Sequence, residues 1–170
     1  MNTLLEALKV RRWNISLSNF DSAPLPNALA IQYAALPTSF IQWLGVFDLC
    51  VNEAQTSWFL SRQDYFGSAE AEFRWNEIQF LSLEACETQD ERKKVTTFWK
   101  EHFPIALAVH SSYDYLAISL AASNFGAVVH GSAPEWESPS TISSSFNEFL
   151  VQFESAARSK SAGWPYVLFL

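Results

Sequence analysis

Hydropathy spacing predicts a single compact α+β domain, with helices packed around a mainly antiparallel or mixed sheet. Three observations carry this. Apolar residues recur at three- and four-residue intervals through Leu4 to Phe47 and again from Phe146. From Pro104 to Gly131 that period gives way to short β-branched and apolar runs separated by turn formers. Finally, 170 residues with 49% apolar and 15% aromatic side chains suit one domain with a sizeable core, and such a composition argues against disorder.

Leu4, Leu5, Leu8 and Trp13 predict an opening amphipathic helix. "SNFDSAPLPN" breaks it with two prolines and turn formers. Ala28 to Phe47 reads as two consecutive helices. The second begins at "LPTSFIQWL", with Pro37 in its first turn, where a missing N–H costs nothing, and Phe40, Ile41, Leu44 and Phe47 as its buried stripe. "DLCVN" and "TSWFLS" are short strands joined by a turn over Glu53 to Thr56.

Asp64 to Glu91 is the acidic stretch, with Asp64, Glu70, Glu72, Glu77, Glu84, Glu87, Asp90 and Glu91 against Arg74 alone. Phe73, Ile78, Phe80, Leu81 and Leu83 bury one side of an irregular helical segment there. Thr88 followed by Glu91 is a capping box. It opens a helix with Val95, Phe98, Trp99 and His102 inside and Arg92, Lys93, Lys94 and Lys100 in solvent.

"PIALAVH", "YDYLAISL" and "GAVVHG" predict a three-stranded meander that "APEWE" extends. The serines before Phe146 are N-cap residues for a helix buried through Phe146, Phe149, Leu150 and Phe153. The apolar tail, 163–170, either adds a strand or covers a groove, on this chain or on a second copy, which leaves a homodimer open.

Bulk charge narrows the function. Eleven Lys and Arg against 18 Asp and Glu leave −7, which repels phosphate backbones and favours basic partners or simple solubility, so direct nucleic-acid binding is not expected. Cys50 and Cys86 have no CxxC spacing, and a reduced cytoplasmic protein is the simpler reading. The basic residues of "MNTLLEALKVRRWN" follow the apolar stretch, the wrong order for a secretory signal. No apolar run approaches the ~20 residues that span a bilayer, so no membrane partner is expected.

The fragment "HSSYDYLAISLAASNFGAVVHG" sets His110, Asp114 and His130 close in sequence, a set that resembles metal ligands. With turns at Ser111–Ser112 and Ser123–Asn124, His110 pairs with Tyr113 and His130 lies opposite Leu116. A strand spacing of ~4.8 Å and a rise of ~3.3 Å per residue then part the histidines by roughly 14 Å. Zinc ligands must each come within about 2.1 Å of the ion, so no metal is expected, and the histidines are placed at strand ends with exposed edges.

There is no GxSxG elbow, and serines beside Asp114 suit a hairpin turn. Five scattered glycines make neither a P-loop nor a dinucleotide fingerprint, so no cofactor is expected. Neither cysteine has a basic neighbour in sequence to activate it, and burial suits both better. The pairs Glu70/Glu72 and Glu135/Glu137, two apart on one strand face, could flank a sugar, although acidic pairs are ordinary on surfaces. Arg92 to Lys94 reads as a solvated helix face in acidic surroundings.

Three stretches together resemble the SUKH superfamily, which includes fungal cell-wall-synthesis regulators and bacterial immunity proteins. "LPTSFIQWL" resembles its "LP…Y..FL" helix start, and "WFLSRQDYF" its aromatic strand. "FPIALAVHSSYDYLAISL…FGAVVHGSAPEWE…ISSSFNEFL" resembles its strand–strand–strand–helix end, through "PIA", "DYL", "GAVV" and "SF..FL". The likeness runs from about Pro26 to Phe153, with 64–101 as an acidic helical insert particular to this chain. Asn52 lacks the glycine that often follows it in the family, and Tyr113-Asp114 replaces the family's Gly-Asp.

The resemblance implies a non-catalytic protein-binding domain that blocks a cognate bacterial toxin, often a nuclease. An intracellular scaffold or regulator of the same fold is the alternative, and a hydrolase using the carboxylate pairs a third. The expected contact surface combines acidic residues with exposed aromatics: Asp64, Glu70, Glu72, Trp75, Glu77, Asp114, Glu135, Trp136 and Glu137.

Overall fold

Strands β1 (Asn14–Leu17), β2 (Phe47–Val51), β3 (Ser57–Phe59), β4 (His102–Val109), β5 (Tyr113–Ser119), β6 (Val128–Ser132) and β7 (Ser140–Ser143) form one sheet. Every pairing is antiparallel, and strand order in space follows order in the chain. The computed structural model describes residues 2–18, 25–67, 73–110 and 112–170. Its helices are α1 (Asn2–Val10), α2 (Asn27–Gln32), α3 (Thr38–Leu44), α4 (Arg62–Phe66), α5 (Glu77–Glu84), α6 (Gln89–Glu101) and α7 (Phe146–Arg158), with a 3₁₀ turn at Tyr166–Leu168. The chain is a single α+β domain.

β4 and β5 are buried almost end to end, so helices must cover both faces of the sheet. Register shows which. Phe59 pairs with Ala106, Ala106 with Leu116 and Leu116 with His130, so these side chains share one face. Phe59 meets Phe149 and Phe153, which puts α7 on that face. Tyr115 points the other way and meets Trp99 of α6 at 5.0 Å. A second aromatic knot surrounds Phe103, with Tyr33 at 4.6 Å, Tyr65 at 4.9 Å and Trp75 at 5.9 Å.

Local rules set most boundaries. The Thr88–Glu91 capping box is formed, and Ser145 caps α7 through Glu148 N–H. Ser61 and Asp64 make another capping box at α4. Asn52 shapes the β2–β3 turn by accepting from the N–H groups of Thr56 and Ser57. Pro104 has no N–H to give a ladder, and the β4–β5 register slips between Pro104 and Ala106. Arg11 Nε donates to Ala157 O at 2.7 Å, tying α1 to the end of α7 and satisfying a carbonyl that the helix leaves open.

Several expectations need correction. β1 and β7 are strands that alternation did not reveal, and "APEWE" is a turn rather than a further strand. Pro37 is the N-cap of α3, one residue before its first turn. Trp43 is fully buried where Ile41 is only half-buried, and Phe47 is buried from β2 rather than from the helix. The irregular acidic segment contains a regular α5, of which Ile78 and Ser82 are the buried residues and Phe80 is exposed. The tail adds no strand: Phe169 is buried in the chain's own core, and Tyr166 meets Phe153 at 5.8 Å.

Two consequences are measurable. A Cβ on Gly131 would stand 2.4 Å from the Tyr115 ring, its direct partner across β5–β6. Gly131→Ala should therefore lower stability by roughly 2–4 kcal/mol in urea unfolding, and most of that loss should vanish in a Tyr115→Ala background. His102 is buried and stacks on Phe98 at 4.0 Å. Burial lowers its basicity more than Phe98 O and Glu101 raise it, so its folded value lies below the ordinary 6.5. The unfolded chain then takes up the proton first, and stability should fall as pH drops from about 7 to 5, with a flatter profile for His102→Gln.

Candidate functional site

Asp114 and His130 form a pair that sequence reasoning, having parted only the two histidines, did not draw. Asp114 is opposite Ser132 and His130 opposite Leu116, so the two are diagonal neighbours on one face of β5–β6. His130 Nε2 donates to Asp114 Oδ1 at 2.9 Å, and Ser112 Oγ donates to Oδ2 at 2.6 Å. Both members are buried, at 5% and 2% exposure, so His130 is not at an exposed strand edge. Burial opposes ionisation of Asp114. Hydrogen bonds from His130, Ser112 and Ser132, with the charge of His130, outweigh it and hold the carboxyl below its ordinary value.

The C-terminal tail closes over this pair. Trp164 stands edge-on to His130 at 5.1 Å and Phe169 at 6.1 Å. His110, beyond the end of β4, is exposed and its Nε2 donates to Leu168 O at 3.0 Å. Val109, not His110, pairs with Tyr113, one residue from the expected register, whereas His130 lies opposite Leu116 as expected. Both histidines thus engage the tail. A cleft of about 230 Å³ lies beside His130, lined by Ser132, Glu135, Ser140 and the largely exposed Trp164.

A second concavity, about 390 Å³, lies against α5 and α6. Ala85, Cys86 and Val95 form its apolar wall, and Glu87, Glu91, Lys94 and Glu137 line it with charge. Glu91 accepts from the N–H groups of Thr88 and Glu87, which hold its carboxyl below the ordinary value. Glu137 Oε1 is sealed from solvent without a hydrogen-bond partner.

The predicted contact residues scatter between these settings. Asp64 caps α4 and is half-buried. Glu77 sits in the first turn of α5. Trp75 is half-buried against Phe103 and Tyr65 rather than exposed. Trp136 is also half-buried, donating to Tyr113 O and accepting at its carbonyl from Tyr115 OH. Asp114 lies inside the domain and cannot meet a partner. Glu70 and Glu72 fall outside the described residues. Glu135 and Glu137, expected on one strand face, sit in a turn and line different concavities.

Among the described residues, no group of three or more His, Cys, Asp or Glu is placed to hold a metal, and no helix is long and apolar enough to cross a membrane. Cys50 is buried, which pushes its thiol up, and Cys86 donates to Ser82 O. Comparison with protein-family models, with curated proteins and with solved structures returned no match.

The Asp114–His130 pair was within reach of the sequence. Once His130 faces Leu116, period two puts Asp114 on the same face, one diagonal away. Asp114→Asn should cost about 2–4 kcal/mol in urea unfolding, because it removes a charge-assisted bond inside the sheet.

Proposed function

We propose that this chain is a non-catalytic protein-binding domain of the SUKH type, an immunity protein that neutralises a cognate, nuclease-like bacterial toxin by direct contact. The observation that carries the reading is the acidic groove of α5 and α6. Glu87, Glu91 and Glu137 outnumber Lys94 there, beside an apolar wall of Ala85, Cys86 and Val95, a combination that suits a basic partner. The net charge of −7 supports a basic partner, since a protein that grips nucleic acid is positive where it does so. The order of the sequence motifs supports the family.

The buried pair fits this reading as a structural element. Ser112 and His130 occupy both oxygens of Asp114, and tail aromatics stand against the imidazole. The hydrolase alternative loses the Glu135/Glu137 pair, whose members line separate concavities. A scaffold of the same fold would use the same groove for a partner that is not a toxin.

Coexpression with the product of the adjacent upstream gene separates toxin from scaffold. Rescue of growth by this chain is the expected result, and a harmless product with no complex overturns the toxin reading. In the purified complex, association should slow by about tenfold between low and high salt while dissociation changes little. Equal association rates at both would remove charge as the driver.

A further inference from the structure

The β6–β7 connection lines two concavities, with Glu137 at the α5–α6 groove and Glu135 at the cleft beside His130. We infer that this second cleft receives a cationic side chain of the partner, an arginine stacked on Trp164 and bonded to Glu135 and His130. The inference rests on the protein-binding reading for who supplies the arginine, but not for the cleft.

Trp164 is the anchor. It is 61% exposed, yet the chain around it is fixed: Pro165 is buried, Val167 N–H donates to Gly163 O at 3.1 Å, and Leu168 N–H donates to Pro165 O at 2.9 Å. Its ring stands edge-on to the buried His130 at 5.1 Å. A tryptophan held in place and left in solvent is the kind of group that carries an interface, because little of its freedom remains to be lost.

The imidazole adds an acceptor. His130 lines the cleft, and its Nε2–H is spent on Asp114, so Nδ1 of the neutral ring can only accept. Nδ1 has no hydrogen bond among the described residues and, unlike Glu137 Oε1, is not sealed from solvent. Ser140, directly opposite His130 on β7, sets a hydroxyl on the same face.

The chemistry selects guanidinium. Glu135 is an exposed carboxylate, Asp114 stands ionised behind the imidazole, and no Lys or Arg is among the described residues that line the cleft. A cation over the face of Trp164 gains from the ring quadrupole. Guanidinium stacks flat on such a ring and carries a fork of donors, enough for both Glu135 and Nδ1, whereas an ammonium is a compact, strongly hydrated point charge. A divalent ion lacks ligands, since no three metal-binding side chains converge among the described residues.

The test titrates N-acetyl-arginine amide into the ¹⁵N-labelled full chain, following the Trp164 indole N–H and the amides of Gly131 and Glu135. Saturable shifts are expected there, with the citrulline analogue, which has the same shape and no charge, at least about tenfold weaker. Trp164→Leu should weaken arginine about tenfold and Glu135→Gln about threefold. Glu53→Gln, the same charge change on the β2–β3 turn, should alter it less than twofold. Absence of saturable shifts, or citrulline or lysine analogues binding as well as arginine, overturns the inference. So does unchanged binding in Trp164→Leu. The ligand comparison on the unmodified chain decides even if that variant misfolds. Failure of the cleft with a salt-sensitive toxin complex intact would leave the protein-binding reading standing. Arginine binding in a chain that forms no complex would do the reverse.

Discussion

The β4–β5 hairpin is buried on both faces, and most of the molecule follows from that. A strand pair covered on one side can expose polar residues on the other. This one cannot, so each polar group in it must find a partner inside the protein. Asp114 does so with His130 and Ser112, Ser119 Oγ donates to Asn124, and the carbonyl of Pro104 accepts from Tyr65 OH. The same burial explains the run of small and β-branched residues between the helical layers, and why Gly131 must lie under the Tyr115 ring.

Covering two faces takes helices from both ends of the chain. α1 and α7 are joined by Arg11 at the end of α7, and by Arg158 and Glu154 reaching back to Thr3. α6 covers the opposite face through Trp99, whose carbonyl accepts from Tyr33 OH. The tail completes the first layer through Phe169, whose carbonyl accepts from the buried Ser57. His130 is therefore enclosed by its sheet partner and by tail aromatics, and an apparent metal set becomes a fastening between sheet and tail.

The acidic segment stands differently. Its helices cover the core with Ile78, Val95 and Trp99 and turn carboxylates outward. The β6–β7 connection, pinned through Tyr115 and Trp136, brings Glu137 to the groove beside α5 and α6. The charged lining of the groove is thus built from two segments far apart in sequence, one of them held by a buried tyrosine.

Short-range physics was readable directly. Short apolar and β-branched runs between turn formers marked β4, β5 and β6, Thr88 with Glu91 marked the start of α6, and serines marked the cap of α7, because caps and short runs involve neighbours a few residues apart. The edge strands β1 and β7 escaped: "NISL" and "STIS" are largely exposed or polar, and they become strands only because a neighbouring strand offers its open edge. Trp75 and Trp136 were expected outside, since nothing local tells an aromatic whether a core has room for it. What the sequence determined alone was the fold class, the meander and the net charge. Tertiary structure decided which carboxylates are buried, capped or left unbonded, because that depends on what other segments bring within hydrogen-bond reach.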